Sequence, residues 1–321
     1  MRRQLESLLF AAALAVALTG CAGRSGIGWP DPDPSRPMPY VINGVPFFSQ
    51  NVNQCGPAAL AMALHWSGIP ASPQDLSEKV FTPSRRGSLQ PALVAAARRN
   101  GRIAYLLAEP KDLVAEVAAG HPVIVLQNLG LSWYPVWHYS VVIGWDAVGK
   151  EVILHSGVTP FRRTAFRTFE RTWARGGYWG LLVLPPSDLP ATAEESIYVA
   201  AASQLERLEN WGVALQAYRS ALTRWPDNLP AVVGIGVCLY RMGDLASAET
   251  HLRAAGKRFP QEGVVFNNLA QVLLEQGRRG EALQAATYAL ECGGPLKSHF
   301  EETLEEIHNY KPDTIDNPNE K

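Results

Sequence analysis

Gln50-Asn51-Val52-Asn53-Gln54-Cys55-Gly56-Pro57-Ala58-Ala59-Leu60-Ala61-Met62-Ala63-Leu64 places one cysteine where an extended approach turns into a helix. Pro57 suits a first helical turn, where its missing N–H costs nothing, and residues 58–64 are nearly all strong helix formers. Cys55 is therefore expected at the helix N-terminus. There, free backbone N–H groups and the positive end of the helix dipole favour a thiolate. A cysteine so placed is either a small buried hydrophobe heading an apolar helix or a nucleophile. Its surroundings decide between the two.

A nucleophilic thiol needs a base, a group that orients the base, and donors for an oxyanion. Gln50 ends the apolar run Val45-Pro46-Phe47-Phe48-Ser49, which reads as a short strand, and its amide can serve an oxyanion together with the Cys55 N–H. Far downstream, Trp137-His138-Tyr139-Ser140-Val141-Val142-Ile143-Gly144-Trp145-Asp146 reads as a strand with a histidine at its start and a turn at its end. His138 is the candidate base. Two residues are candidates to orient it. His155, at the end of the next strand, is favoured because a neutral imidazole has one acceptor nitrogen; Asp146 lies in the intervening turn and points away in a simple hairpin. Trp133, Tyr134 and Trp137, just before His138, either wall a substrate cleft or pack the core. His65, His121, His251, His299 and His308 are read as structural. No histidine or cysteine pair has metal-ligand spacing, so neither zinc nor another cofactor is expected.

A glutamine, a short gap, Cys-Gly and a much later histidine opening an apolar strand resemble the cysteine peptidases of the bacteriocin-processing (double-glycine leader) type and their papain-like relatives. The resemblance rests on Gln50, Cys55-Gly56 and His138-Tyr139-Ser140-Val141-Val142 and covers residues 40–185. It implies an α+β papain-like cysteine peptidase domain over residues 41–186, acting on peptide substrates. Cys55 would be the nucleophile, His138 the base, and Gln50 an oxyanion donor. The family's acidic residue on the following strand has no match, because Glu151-Val152-Ile153-Leu154 runs into His155-Ser156-Gly157. Helical signals from Ser72-Pro73 and over residues 89–99 and 111–119 suit that fold, as do strand signals at 103–107, 123–127, 139–144, 151–154 and 180–184. Arg85, Arg86, Arg162, Arg163, Arg167, Arg171 and Arg175 fall in segments read as loops, where solvated charge is preferred over a basic cleft.

The 29 Lys+Arg against 30 Asp+Glu in 321 residues, 47% of them hydrophobic, suit a folded protein of about two domains and do not suggest nucleic acid. The N-terminus stands apart. Arg2 and Arg3 precede an Ala/Leu/Val run that is too short to span a bilayer and ends at Leu18-Thr19-Gly20-Cys21. This pattern resembles a bacterial lipoprotein signal over residues 1–20, with Cys21 as the site of lipid attachment and a membrane anchor. Ala22 resembles the outer-membrane sorting class, which places the chain on the periplasmic side of the outer membrane. Residues 21–40, with five closely spaced prolines from Pro30 to Pro39, read as a tether. Extended at about 3.1 Å per residue, it would reach roughly 55 Å. Cys238 and Cys292 are read as core residues rather than a disulfide.

Past the break at residues 187–194, Ala214, Ala248 and Ala282 repeat at a step of 34, as do Ala221, Ala255 and Ala289 and the trio Pro226, Pro260 and Gly294. Ala202, Gly236 and Ala270, and Leu205, Leu239 and Leu273, keep the same register. This resembles the tetratricopeptide repeat, an all-α module whose small residues let paired helices approach closely. Residues 195–310 would hold three repeats and a capping helix, offering a surface for a protein partner, with a polar tail over 311–321. Glu209 stands where the other copies have Gly243 and Gly277.

Overall fold

The computed structural model describes residues 27–33, 39–50, 54–85 and 87–310. The expected signal peptide, lipid-bearing Cys21 and polar tail lie outside the described residues. The first half runs β1 (Tyr40–Val41), α1 (Cys55–Trp66), α2 (Pro73–Val80), the hairpin β2 (Phe81–Thr82) and β3 (Gly87–Ser88), α3 (Gln90–Arg99), β4 (Ile103–Leu106), α4 (Asp112–Ala118), β5 (Val123–Asn128), β6 (Trp137–Asp146), β7 (Glu151–Ser156), β8 (Thr159–Ala165), α5 (Phe166–Ala174) and β9 (Gly180–Leu184). The large sheet has seven strands in the order β4-β9-β5-β6-β7-β8, with β1 added on β6, and every pairing is antiparallel. Helices lie early and the sheet late, the α+β arrangement expected.

Local chemistry explains the elements. Gly56, Pro57 and the seven residues after them are all buried, so α1 is apolar all round and can exist only inside the domain. Ser72 caps α2 by accepting from the Asp75 N–H, with Pro73 at the first helical position. Two expectations change. Residues 45–49 form no strand: Val45 and Phe47 lie against His155 of β7 without a ladder, and Pro46 has no N–H to give one. The arginine-rich stretch after residue 158 is an exposed edge strand, β8, followed by α5, where loops were expected. Arg163 lies on that edge, paired with Asp146 and Glu151.

The proline-rich segment is also not wholly a free tether. Ile27 is buried, and Trp29 stacks on Phe166 of α5 with ring centroids 4.2 Å apart. Residues 27–33 thus begin the domain rather than precede it.

Six paired helices and a cap follow: α6 (Glu195–Arg207), α7 (Trp211–Arg224), α8 (Leu229–Arg241), α9 (Leu245–Arg258), α10 (Gly263–Glu275), α11 (Arg279–Cys292) and α12 (Lys297–Asn309). The repeating alanines Ala214, Ala248 and Ala282 are fully buried, as are Ala202, Ala270 and Ala289. Small side chains there let each helix sit against its partner. Cys238 is buried in this core, its thiol pushed up to about 12 by burial, and Cys292 lies by the Pro260 carbonyl.

Glu209 occupies the turn between α6 and α7 with φ 57°, matching Gly243 at 79° and Gly277 at 76° in the later copies. A left-handed backbone costs an L-residue about 1–2 kcal/mol, and glycine gives back about 0.5–1 kcal/mol in chain entropy. Glu209→Gly is therefore expected to stabilise the protein by about 0.5 kcal/mol, seen as a higher urea midpoint at unchanged slope.

The two halves are tied together. Glu116 of α4 is fully buried and accepts from the Ala191 and Thr192 N–H groups at 3.1 and 2.7 Å and from the Thr192 hydroxyl at 2.6 Å. The His121 Nδ1–H donates to the same carboxylate at 2.7 Å. Tyr105 on β4 accepts from the Glu194 N–H and donates to the Thr192 carbonyl. Residues expected as a linker are thereby fastened to the sheet domain, and α6 packs on edge strand β4.

Candidate active site

Cys55 opens α1 and is partly buried. Gly56 follows it for a steric reason: a Cβ there would stand 2.5 Å from the Ser88 side chain of β3. Burial pushes the Cys55 thiol above its ordinary range, while the N–H groups of Tyr139, Gly56 and Cys55 itself pull it back without overcoming that burial. The helix N-terminus contributes as expected, yet the resting sulfur stays a thiol. The Tyr139 N–H brings the sulfur against the backbone of the residue that follows His138.

Gln50 comes to the same place from the other side. It is buried. Its N–H donates to the Gly157 carbonyl and its Oε1 accepts from the Gly157 N–H, each at 3.0 Å, while its Nε2 points at the Tyr139 carbonyl at 3.4 Å. The β7–β8 turn therefore positions the glutamine. Gln50, Cys55 and the start of β6 are brought together. Nε2 carries a second hydrogen for an oxyanion.

His138 sits near the start of β6, opposite Gln127 of β5. Burial and the charge of Arg162 lower its pKa to about 4, so the imidazole is neutral at pH 7. Its Nε2 lies 2.9 Å from the hydroxyl of Ser156, the last residue of β7. Nδ1 is the nitrogen left to face a thiol.

His155 does not orient His138. Val141 pairs with His155, and side chains alternate along a strand, so His155 and Ser156 lie on opposite faces of the sheet. The His155 ring lies between Phe47 and Phe161, donating from Nε2 to the Val45 carbonyl at 3.2 Å and accepting the Phe161 N–H at Nδ1. It anchors residues 45–49 instead. Asp146 is engaged by the Gly149 N–H and Arg163. The residue next to the expected one holds the position: Ser156 bonds His138 and also lies 3.0 Å from Ser140, two residues along the same face. Ser140, Gln127 and Thr172 continue this polar row. The signal for it was the period of two that puts His138 and Ser140 on one face.

Trp133, Tyr134 and Trp137 do not pack the core. They are 80, 69 and 54% exposed on the hairpin between β5 and β6, together with Leu129, Leu131 and Val136. Monomeric surfaces rarely gather so many large apolar side chains without a binding role.

A family model described as the Peptidase_C39 like family matches residues 42–180, and a tetratricopeptide repeat model matches residues 207–272. No curated protein matches. Among solved structures, a C39-like peptidase from Bacillus anthracis is 18% identical, covering 46% of this chain and 98% of its own, with a TM-score of 0.41. The peptidase domain of Streptococcus ComA, a bifunctional ABC transporter of a quorum-sensing pathway, is 21% identical over 44% of this chain and 99% of its own, with a TM-score of 0.37. The type III secretion translocator chaperone SycD of Yersinia enterocolitica is 18% identical over 36% of this chain and 91% of its own, with a TM-score of 0.33. The chain therefore carries a domain of the C39-like peptidase family, followed by tetratricopeptide repeats.

Proposed function

We propose that this protein is a lipid-anchored cysteine peptidase of the cell envelope, held at the outer membrane and facing the periplasm. One observation carries the catalytic part of the reading: the N–H of the residue after His138 acts on the Cys55 thiol, lowering its pKa, while the His138 ring is half-buried, neutral and held at Nε2. Cys55 attacks the peptide carbonyl, and its proton passes to His138, which returns it to the leaving amine. The Cys55 N–H and the Gln50 amide receive the oxyanion. The exposed Trp133–Trp137 side of the cleft favours substrates with apolar residues beside the scissile bond.

The anchor rests on the N-terminal pattern ending at Cys21. With Ile27 already packed into the domain, the chain from Cys21 to Ile27 spans at most about 20 Å. Such a leash keeps the site close to the lipid rather than roughly 55 Å from it. No described helix is long and apolar enough to cross a membrane. The helical repeats supply a protein-binding surface, and a groove of about 700 Å³ lined by Val199, Ser203, Tyr218 and Pro230 is suited to a peptide segment of a partner or substrate.

The serine at position 156 favours a second reading, a binding lipoprotein whose peptidase-like domain no longer turns over and which acts through its repeats. A thiol-directed electrophilic probe separates the two. The expected result is fast labelling of the native protein, none in Cys55→Ala and slow labelling in His138→Ala. Labelling of Cys55 at the rate of an ordinary exposed thiol, unchanged in His138→Ala, would sink the peptidase reading.

A further inference from the structure

Five hydrogen-bonding groups form a continuous buried chain away from His138. The His138 Nε2 is 2.9 Å from the Ser156 hydroxyl, which is 3.0 Å from the Ser140 hydroxyl. The Ser140 hydroxyl is 3.0 Å from Gln127 Oε1, and the Gln127 Nε2 is 2.6 Å from the Thr172 hydroxyl. The Thr172 hydroxyl reaches the Phe169 carbonyl of α5 at 2.8 Å. Ser140, Ser156, Gln127 and Thr172 are all buried, and none of these groups is charged.

The chain has a direction because it ends on a pure acceptor. A carbonyl cannot donate, so Thr172 spends its only hydroxyl proton on Phe169 and can only accept from Gln127. The Gln127 NH2 therefore faces Thr172 and its carbonyl faces Ser140. That carbonyl takes the Ser140 proton, so the contact between the two serines must be donated by Ser156. With its proton committed, Ser156 can only accept from His138. Read in this direction every hydroxyl proton has an acceptor. The reverse reading turns the Gln127 amide over and removes the Thr172 bond to Phe169.

We propose that Gln127, Ser140, Ser156 and Thr172 are positioning residues that set the tautomer of His138, keeping its proton on Nε2 and its lone pair on Nδ1. The inference rests on the peptidase reading for its purpose, though its geometry stands without it. A carboxylate achieves the same result by charge; here the polarity of a helix carbonyl is passed through four neutral side chains. The arrangement also suits a base that begins neutral: when Nδ1 takes the thiol proton, the Nε2–H remains bonded to Ser156, and no bond in the chain has to reverse.

The test reads the tautomer directly and does not depend on turnover. In full-length protein labelled with 15N-histidine at neutral pH, two-bond proton–nitrogen correlations assign His138 by its loss in His138→Gln. The expected result is a protonated Nε2 and an unprotonated Nδ1. Thr172→Val, which frees the Gln127 amide to turn over, should lower the ratio of the two tautomers about tenfold, the equivalent of one hydrogen bond, and Thr172→Ser should restore it. Ser156→Ala provides the same readout should Thr172→Val fail to fold. A native His138 with its proton on Nδ1 overturns the proposal. So does an unchanged tautomer ratio in both Thr172→Val and Ser156→Ala. Loss of peptidase activity in any assay leaves this result standing, so the two readings fail separately.

Discussion

His138→Ala should lower kcat/KM for peptide cleavage by about a hundredfold to ten-thousandfold, the range supplied by a placed general acid–base group, and Cys55→Ala should abolish cleavage. The pH dependence of that cleavage adds a sharper expectation. His138 acts as a base only when neutral. Burial and Arg162 hold its pKa near 4, so activity should persist through pH 6 and fall only as pH drops through about 4. Burial raises the Cys55 thiol, so a resident thiolate–imidazolium pair is not the resting state, and the proton moves as the sulfur attacks. Arg162→Gln removes the nearby positive charge and should move the acid limb upward, toward the ordinary histidine range. The check is kcat/KM against pH for native and Arg162→Gln proteins. An acid limb near 6.5 in the native protein would mean that His138 is solvated rather than half-buried as in the structure.

What could be read before the structure follows how local each signal is. The helix behind Cys55 and the cap at Ser72 depend on neighbours in sequence, and both are found where expected. The strand carrying His138 was legible from its alternation, and the repeats from their step of 34. Ser156 was missed because a strand's two faces differ by one residue, and reading the end of β7 by residue type favoured the histidine over the serine beside it. Only register reveals the difference: Val141 pairs with His155, which sets Ser140 beside Ser156. Thr172 was out of reach for another reason. Its helix, α5, is short and rich in arginine and aromatic residues, and it forms because Phe169 and Trp173 bury one face against the sheet. Such a helix owes more to tertiary packing than to propensity. Glu116 likewise looked like one more charge on a helix face, and no local pattern marks a carboxylate that the chain will bury 75 residues away.

That carboxylate sets the largest stability effect. Glu116→Ala should destabilise the protein by about 3–5 kcal/mol, the usual cost of deleting one member of a buried ionic and hydrogen-bonded cluster, because it strands the Ala191 and Thr192 N–H groups and the His121 N–H together. The loss falls on the join between the halves. Unfolding in urea should separate into two transitions, the helical repeats and the sheet domain no longer melting as one, and proteolysis should find residues 187–194. Acid should mimic the mutation. Burial alone would raise the Glu116 pKa, but the hydrogen bonds from His121 and Thr192 outweigh it and hold the pKa below the ordinary carboxylate range. A depressed carboxylate contributes stability that is complete above the unfolded-state pKa and lost as pH falls through the folded one. Native protein should therefore keep a single transition at neutral pH and develop two only below the usual range for glutamate, whereas Glu116→Ala should show two at every pH. One transition at neutral pH in Glu116→Ala would mean that Tyr105 and the packing of α6 on β4 hold the halves together without it.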